Sequence, residues 1–259
     1  MVGSKDFTEQ VILGEIVAQQ IERRLGVKVD RKLHLGGTLL AHTALVGGQI
    51  DVYPEYTGTA LMEVLKLPVS RDAAAVENRV RDEYRSRWSI EWMPPLGFNN
   101  TFAMVVEGGF ETLSEAARRK QGWKLAVGYE FLTRADGLPG LIETYRLPLD
   151  GAPRSMNLGL LYQALKQKQV DMVAGSATDG LISAMGLTIL RDDKGYFPPY
   201  EAALAVRVAA TEANPGLRAA LAELSGKFST EAMRKMNHQV DGEHRPVSEV
   251  ARAFLDRGK

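Results

Sequence analysis

Residues 158–193, LGLLYQALKQKQVDMVAGSATDGLISAMGLTILRDD, decide the fold class, because they read helix, strand, helix, strand without interruption. The same alternation continues outward on both sides. ETLSEAARRK (111–120) reads as a helix, WKLAVGYEF (123–131) as a strand and DGLPGLIETYR (136–146) as a turn and helix. Nearer the start, a short strand ends at Gly3 and Ser4. A helix then runs from about Thr8 to Leu25, with Val11, Ile12, Ile16, Val17, Ile21 and Leu25 on one stripe. Asp6 and Glu9 form a capping-box-like start to it, and Gly26 is its stop. VKVDRKLHL (27–35) is a second strand, Gly36-Gly37-Thr38 opens a helix to about Val46, and Ile50–Val52 returns to the sheet. Residues 70–87 form a charged amphipathic helix, and 215–228, 229–240 and 246–258 make a helical tail. Alternation of this kind predicts α/β layers with largely parallel sheets. No internal repeat is legible.

Two extended crossings interrupt the pattern, near 99–105 and 197–203, with Pro94-Pro95 and Pro198-Pro199 barring helix around them. As hinges they divide the chain into a lobe of 1–101 plus 202–259 and a middle lobe of 102–201, with a ligand cleft between. In open α/β sheets ligands bind beyond the carboxyl ends of strands, near helix N-termini. GSKDFTE, GGT, YPEYTGT and GSATDG all sit at such joins.

Composition narrows the function classes. The 259 residues suffice for two lobes with a core. The 32 Lys and Arg balance 32 Asp and Glu, so nothing suggests a nucleic-acid partner or a membrane-surface footprint. The absence of cysteine excludes disulfides, thiolate metal sites and cysteine nucleophiles. No run of about 18 apolar residues is present to span a bilayer. Met1 directly before VGSKDF reads as a trimmed start, from which an export signal or a lipid-attachment cysteine has been removed.

No catalytic or metal constellation appears. His34, His42, His238 and His244 lack metal-ligand spacing, GSATDG is not G-x-S-x-G, and GGT lacks the lysine of a phosphate loop. Asp192 and Asp193 read as a solvated turn. Binding chemistry fares better. In DVYPEYTGTAL (51–61), Tyr53 and Tyr56 flank Pro54, which predicts rings exposed at a turn or, alternatively, packed in a core. Phe197 and Tyr200 flank the prolines of the second crossing, and Phe102 lies at the first. Ring faces grouped this way suit a cation that has no hydrogen bonds to give. Lys5 and Arg134 are candidates to anchor an anionic end, Arg134 by a bidentate pair with a carboxylate.

GSKDFTEQ, GGTLLAHTALVGGQIDVYPEYTGTAL, PLGFNNTFAM, GYEFLTRADGLPGL, ATDGLISAMGLTILRDDKGYFPPYEAAL and the NHQVDGE…PVSEVARAFL tail occur in order along nearly the whole chain. Together they resemble the substrate-binding proteins of ABC importers for quaternary ammonium compounds such as glycine betaine, choline, carnitine and proline betaine. The resemblance implies the two-lobed type II periplasmic-binding-protein fold, a monomer without cofactor or catalysis, and delivery to a membrane permease. It implies an extracytoplasmic location, with the chain free, lipid-anchored or fused to its permease.

Carried over by position, the resemblance gives Lys5 near the ligand carboxylate, Tyr56 as a cage wall and Thr59 as a hydrogen-bond donor. Asn100 and Phe102 fall in the NNTFA segment, where the aromatic is usually tyrosine. Arg134 is the carboxylate-binding arginine, and Tyr200 another wall. One position departs: the residue before (S/A)TDG is often aromatic, and here it is Ser176, preceded by Gly175. Losing one ring costs on the order of 1–2 kcal/mol in a desolvated cage. The expectation is weak binding of small osmoprotectants, or a bulkier betaine such as ergothioneine, unless Tyr53 or Phe98 supplies the wall. An amino-acid-like zwitterion, an enzyme on the same scaffold and a sensor are the alternatives.

Overall fold

A computed structural model describes residues 1–256, which form two compact units, one of 1–100 with the chain from 199 on, the other of 101–198. The reading of the last helix as far as 258 passes beyond the described residues. The first unit begins with β1 (Val2–Gly3), α1 (Thr8–Leu25), β2 (Arg31–Lys32) and α2 (Thr38–Val46). β3 (Val52–Tyr56) follows, then α3 (Thr57–Thr59), which runs on as a π-helical turn over Ala60–Val64, α4 (Ala73–Trp88) and β4 (Ile90–Trp92). The second unit carries β5 (Phe102–Val106), α5 (Leu113–Ala116), β6 (Leu125–Val127), α6 (Tyr129–Thr133), α7 (Leu138–Tyr145), β7 (Arg154–Ser155), α8 (Leu158–Lys166), β8 (Met172–Ser176), α9 (Gly180–Ala184) and β9 (Thr188–Leu190). The chain re-enters the first unit as β10 (Ala202–Arg207), followed by α10 (Val208–Ala213), α11 (Leu217–Ala222), α12 (Thr230–Asp241) and α13 (Val247–Asp256). Among the described residues no helix is long and apolar enough to cross a membrane.

Each unit has its own five-stranded sheet, in the order β2-β1-β3-β10-β4 and β7-β6-β8-β5-β9. The sheets are mixed rather than largely parallel. β1 and β6 pair in parallel with both neighbours, whereas β10 and β5 pair antiparallel with both of theirs. The physical reason is the crossings: β5 and β10 are each the first strand after one. Each therefore enters its sheet where the strand-to-helix turns lie and runs back against them. Successive β5 residues face opposite sides, Met104 and Val106 into one cluster with Leu113 and Trp123, Ala103 and Val105 into another with Leu161 and Leu165.

α1 is buried on nearly every side from Glu9 to Ile21, as expected of a helix packed by α11, α12 and α13 as well as its sheet. It stops at Gly26, whose φ of 66° is the left-handed C-terminal conformation. The predicted capping box is not formed. The N-cap is Phe7 rather than Asp6, and its phenyl ring has no atom to cap with, while Glu9 is turned into a buried cluster instead of back on the helix start.

The structure also exposes an internal repeat that the sequence reading missed. ALVGGQIDVYPEY (44–56) and ALKQKQVDMVAGS (164–176) share only Ala, Leu, Gln and Asp, but make the same turn. Gln49 N–H donates to the Ala44 carbonyl (2.8 Å) and Gln169 N–H to that of Ala164 (3.0 Å). Gly48 and Lys168 both take positive φ, 72° and 58°, at its corner. Tyr56 and Ser176 are thus equivalent positions, each ending its strand.

His42, on α2, is buried with its ring edge-on to Trp88 (4.5 Å) and Tyr84 (5.4 Å), and its Nδ1 meets no hydrogen-bond partner. Burial pushes this imidazole down to about 4, against an unfolded value of about 6.5. The folded state therefore favours the neutral ring. The stability this contributes is complete above about pH 6.5 and is lost as the pH falls toward 4. The urea midpoint of the wild type should fall between pH 7 and 4 more steeply than that of His42→Phe. Parallel profiles would show that His42 is not held neutral.

Candidate functional site

In the first unit the site is built on β3 and the turn after it. Both tyrosines of DVYPEYTGTAL are buried in the strand, not exposed at a turn. Pro54 is tolerated there for a simple reason. It faces Leu204, whose carbonyl is turned away to Met93 N–H (2.9 Å), so no ladder bond calls on the missing donor. Glu55 is wholly buried. Its Oε1 accepts from Lys5 Nζ (2.5 Å) and the Tyr56 N–H (2.7 Å), and its Oε2 from the Tyr53 hydroxyl (3.1 Å). Lys5 also donates to Thr38 Oγ1 (3.1 Å) and lies 5.1 Å from the centroid of the Tyr56 ring.

A second buried carboxylate, Glu9, accepts from the Tyr56 hydroxyl (2.6 Å) and Asn100 Nδ2 (2.8 Å) on Oε1, and from Asn237 Nδ2 (3.2 Å) on Oε2. Burial, and then the Glu9 charge, raise the Tyr56 pKa well above the ordinary phenol value, so the ring remains a neutral phenol. The Thr57-Gly58-Thr59 segment has distinct tasks. Thr57 N–H donates to Glu201 O (3.0 Å), while Thr57 Oγ1 donates to Pro199 O (3.3 Å) and accepts from Glu201 N–H (3.1 Å). Gly58 lies under Tyr200: a Cβ there would stand 2.5 Å from Pro199 O and 2.8 Å from the Tyr200 ring. Thr59 is buried in the first turn. The segments on either side of the second unit meet here, Tyr200 N–H donating to Asn99 Oδ1 (3.0 Å) and Asn100 N–H to Tyr200 O (3.1 Å).

In the second unit, Phe102 opens β5 directly opposite Ser176 at the end of β8. Cross-strand partners in an antiparallel pair share a face, so an aromatic at 176 would stand beside the Phe102 ring. That ring packs edge-on to Phe131 (4.9 Å) and against Phe197 (6.0 Å), with the Arg134 guanidinium 5.2 Å from its centroid. Arg134 is buried and forms a bidentate pair with buried Asp136, Nε to Oδ1 at 2.8 Å and Nη2 to Oδ2 at 2.6 Å. Tyr196 holds this loop by donating to Gly137 O (2.7 Å). Asp192 is not a solvated turn residue: it accepts from the Tyr145 hydroxyl and from Phe197 N–H (2.8 Å), which fixes the start of FPPY. Asp179 accepts from the Tyr162 hydroxyl and Ser176 N–H (2.9 Å). Gly175 is small because a Cβ there would stand 2.0 Å from the Tyr162 hydroxyl oxygen.

Lys5, Tyr56, Thr59, Asn100 and Tyr200 therefore belong to the first unit, and Phe102, Arg134 and Ser176 to the second. Each unit repeats one device, a buried cation–carboxylate pair with the cation over an aromatic ring. Of the named substitutes for a ring at 176, Tyr53 has its hydroxyl on Glu55 (3.1 Å) and Phe98 packs against Phe228 (6.0 Å), both within the first unit. The sequence reading missed Glu9, Glu55, Asp136 and Asp179. Their one local signal is the short spacing of Glu55 to Tyr56 and of Arg134 to Asp136.

Residues 1–257 match the family described as the substrate binding domain of ABC-type glycine betaine transport system, and the chain belongs to it. It is 30% identical to the ergothioneine transport permease/ergothioneine binding protein of Helicobacter pylori, over 99% of this chain and 47% of that protein, so it spans about half that relative's length. It is 34% identical to the glycine-betaine-binding protein of Pseudomonas aeruginosa, over 98% of this chain and 86% of that one. The crystal structure of a glycine betaine/carnitine/choline ABC transporter protein matches with a TM-score of 0.84 at 28% identity, covering 98% of this chain and 97% of that one. The chain has the α/β fold of these substrate-binding proteins.

Gly58 tests the packing of the site. Alanine is the better helix former by roughly 1 kcal/mol, yet its Cβ would strike backbone and ring atoms that have little room to yield. Gly58→Ala should lower stability by about 1–3 kcal/mol, seen as a lower urea midpoint at unchanged slope. A variant as stable as wild type would mean that Tyr200 is not seated on Gly58.

Proposed function

We propose that this chain is the substrate-binding component of an ABC importer that captures a quaternary-ammonium or betaine-type zwitterion of the glycine betaine, choline or carnitine class. The observation that carries the reading is the device found in both units: Lys5–Glu55 at the Tyr56 ring and Arg134–Asp136 at the Phe102 ring. Ring faces attract a cation that cannot form hydrogen bonds, and neighbouring N–H donors suit a carboxylate tethered to it. In this reading Tyr56, Phe102 and Tyr200 supply the walls. Lys5, Thr59, Asn100 and Arg134 supply polar contacts. The protein works by binding, without catalysis or cofactor, as a monomer outside the cytoplasm, and delivers its ligand to a membrane permease carried on the same or a separate chain.

A second reading within the class concerns ligand size. Ser176 leaves the position opposite Phe102 without a ring, which favours a bulkier betaine such as ergothioneine over glycine betaine. Calorimetric titration with glycine betaine, choline, carnitine and ergothioneine, on wild type and Ser176→Tyr, tests both. The expected result is binding within this panel, with Ser176→Tyr tightening glycine betaine or choline about tenfold, the worth of one desolvated ring. Silence across the panel would refute the ligand class. Wild-type affinity for glycine betaine that Ser176→Tyr does not improve would refute the missing-wall reading alone.

A further inference from the structure

Glu9 has no place in the sequence-derived site, yet it joins three parts of the first unit that are far apart in the chain. From the first turn of α1 its carboxylate takes the Tyr56 hydroxyl (2.6 Å), Asn100 Nδ2 (2.8 Å) and Asn237 Nδ2 of α12 (3.2 Å). It is 3% exposed, so these are charge-assisted bonds in a poorly screened setting. We infer that Glu9 is a positioning residue that both orients Tyr56 and strengthens its ring as a wall for a cation. The inference rests on the reading of Tyr56 as a cage wall.

The mechanism follows from donor bookkeeping. A phenol has a single O–H, and here it points to a carboxylate. The ring is thereby turned by its hydroxyl as well as by packing against Phe7, whose ring is stacked at 6.4 Å. A phenol that donates to an anion also keeps more electron density on oxygen and ring. The negative ring face, which attracts cations, becomes more negative. Glu9 thus discriminates by charge: it favours a ligand with a cationic head and does little for a neutral head of the same shape. Asn100, held by the same carboxylate, is fixed at the junction between the two units' chain segments.

The test compares glycine betaine with 3,3-dimethylbutanoate, its isostere with carbon in place of the quaternary nitrogen. Calorimetry gives the ratio of the two affinities for wild type, Glu9→Gln, Tyr56→Phe and the double variant, with circular dichroism melts confirming that each is folded. The expected result is that Glu9→Gln reduces the preference for the cationic head by about three- to tenfold, and adds nothing further in the Tyr56→Phe background. Equal loss of affinity for both ligands would assign Glu9 a structural role only. A loss of preference that persists in the Tyr56→Phe background would show that the charge acts directly and not through the hydroxyl, which overturns the mechanism. If wild type binds neither ligand, choline and its isostere 3,3-dimethylbutan-1-ol replace them. A wild type that binds no quaternary amine defeats the cage-wall reading itself, and this inference with it.

Discussion

The ion pair between Lys5 and Glu55 is the constraint on which the first unit turns. A carboxylate with no solvent exposure is tolerated only when its charge and lone pairs are met. Glu55 is met by an ammonium, a backbone N–H and a phenol. Each donor comes from a place the fold must supply: Lys5 from just beyond β1, Tyr56 and Tyr53 from β3 itself. Thr38, at the first residue of α2, takes a second Lys5 proton. Two strand ends and a helix start are thereby fixed around one charge. Removing either partner would leave the other charge buried alone, a loss of about 3–5 kcal/mol in such settings. The second unit solves the same problem within one short loop, where Arg134 and Asp136 are two residues apart.

Much of the fold was legible because it rests on local periodicity. α1, α2 and α4, the helix–strand run from 158 to 190, and the return into β10 follow from apolar spacing and from glycine and proline stops. What was not legible depends on contacts made at long separation. Asp6 and Glu9 have the spacing of a capping box, yet Glu9 is drawn to residues 47, 91 and 228 positions away, and no window of sequence contains that competition. Pro54 suggested a turn because the register that excuses it involves Leu204. VKVDRKLHL promised a longer strand than Arg31–Lys32, since β2 is an edge that only β1 supports.

The candidate site divides along the same line. Its rings and cations were visible as residue types at strand-to-helix joins. Their carboxylate partners were not, because an acidic residue beside a tyrosine looks like an ordinary surface pair until burial is known. Ser176 was visible as a departure from a pattern. Its meaning depends on cross-strand register, which puts it opposite Phe102 just as Tyr56 lies opposite Ala202. Large faces small at the same level of both sheets, but the large residue is on the strand after the helix in one and on the strand after the crossing in the other.

The placement of β10 dictates an order of assembly. This strand lies between β3 and β4 and pairs with both, yet it is made only after residues 101–198. The second unit is one uninterrupted stretch that contains all five strands of its own sheet, so it can mature as soon as its last residue is available. The first unit cannot. Until residues 202–207 arrive, β4 has no sheet to join and β3 presents an open hydrogen-bonding edge, the kind that pairs with the wrong chain. Long-range pairing of this sort is slow. A nascent chain of this protein therefore carries a finished middle and an unfinished beginning for as long as synthesis takes to cross that interval, and that is the period in which a holding chaperone would matter most.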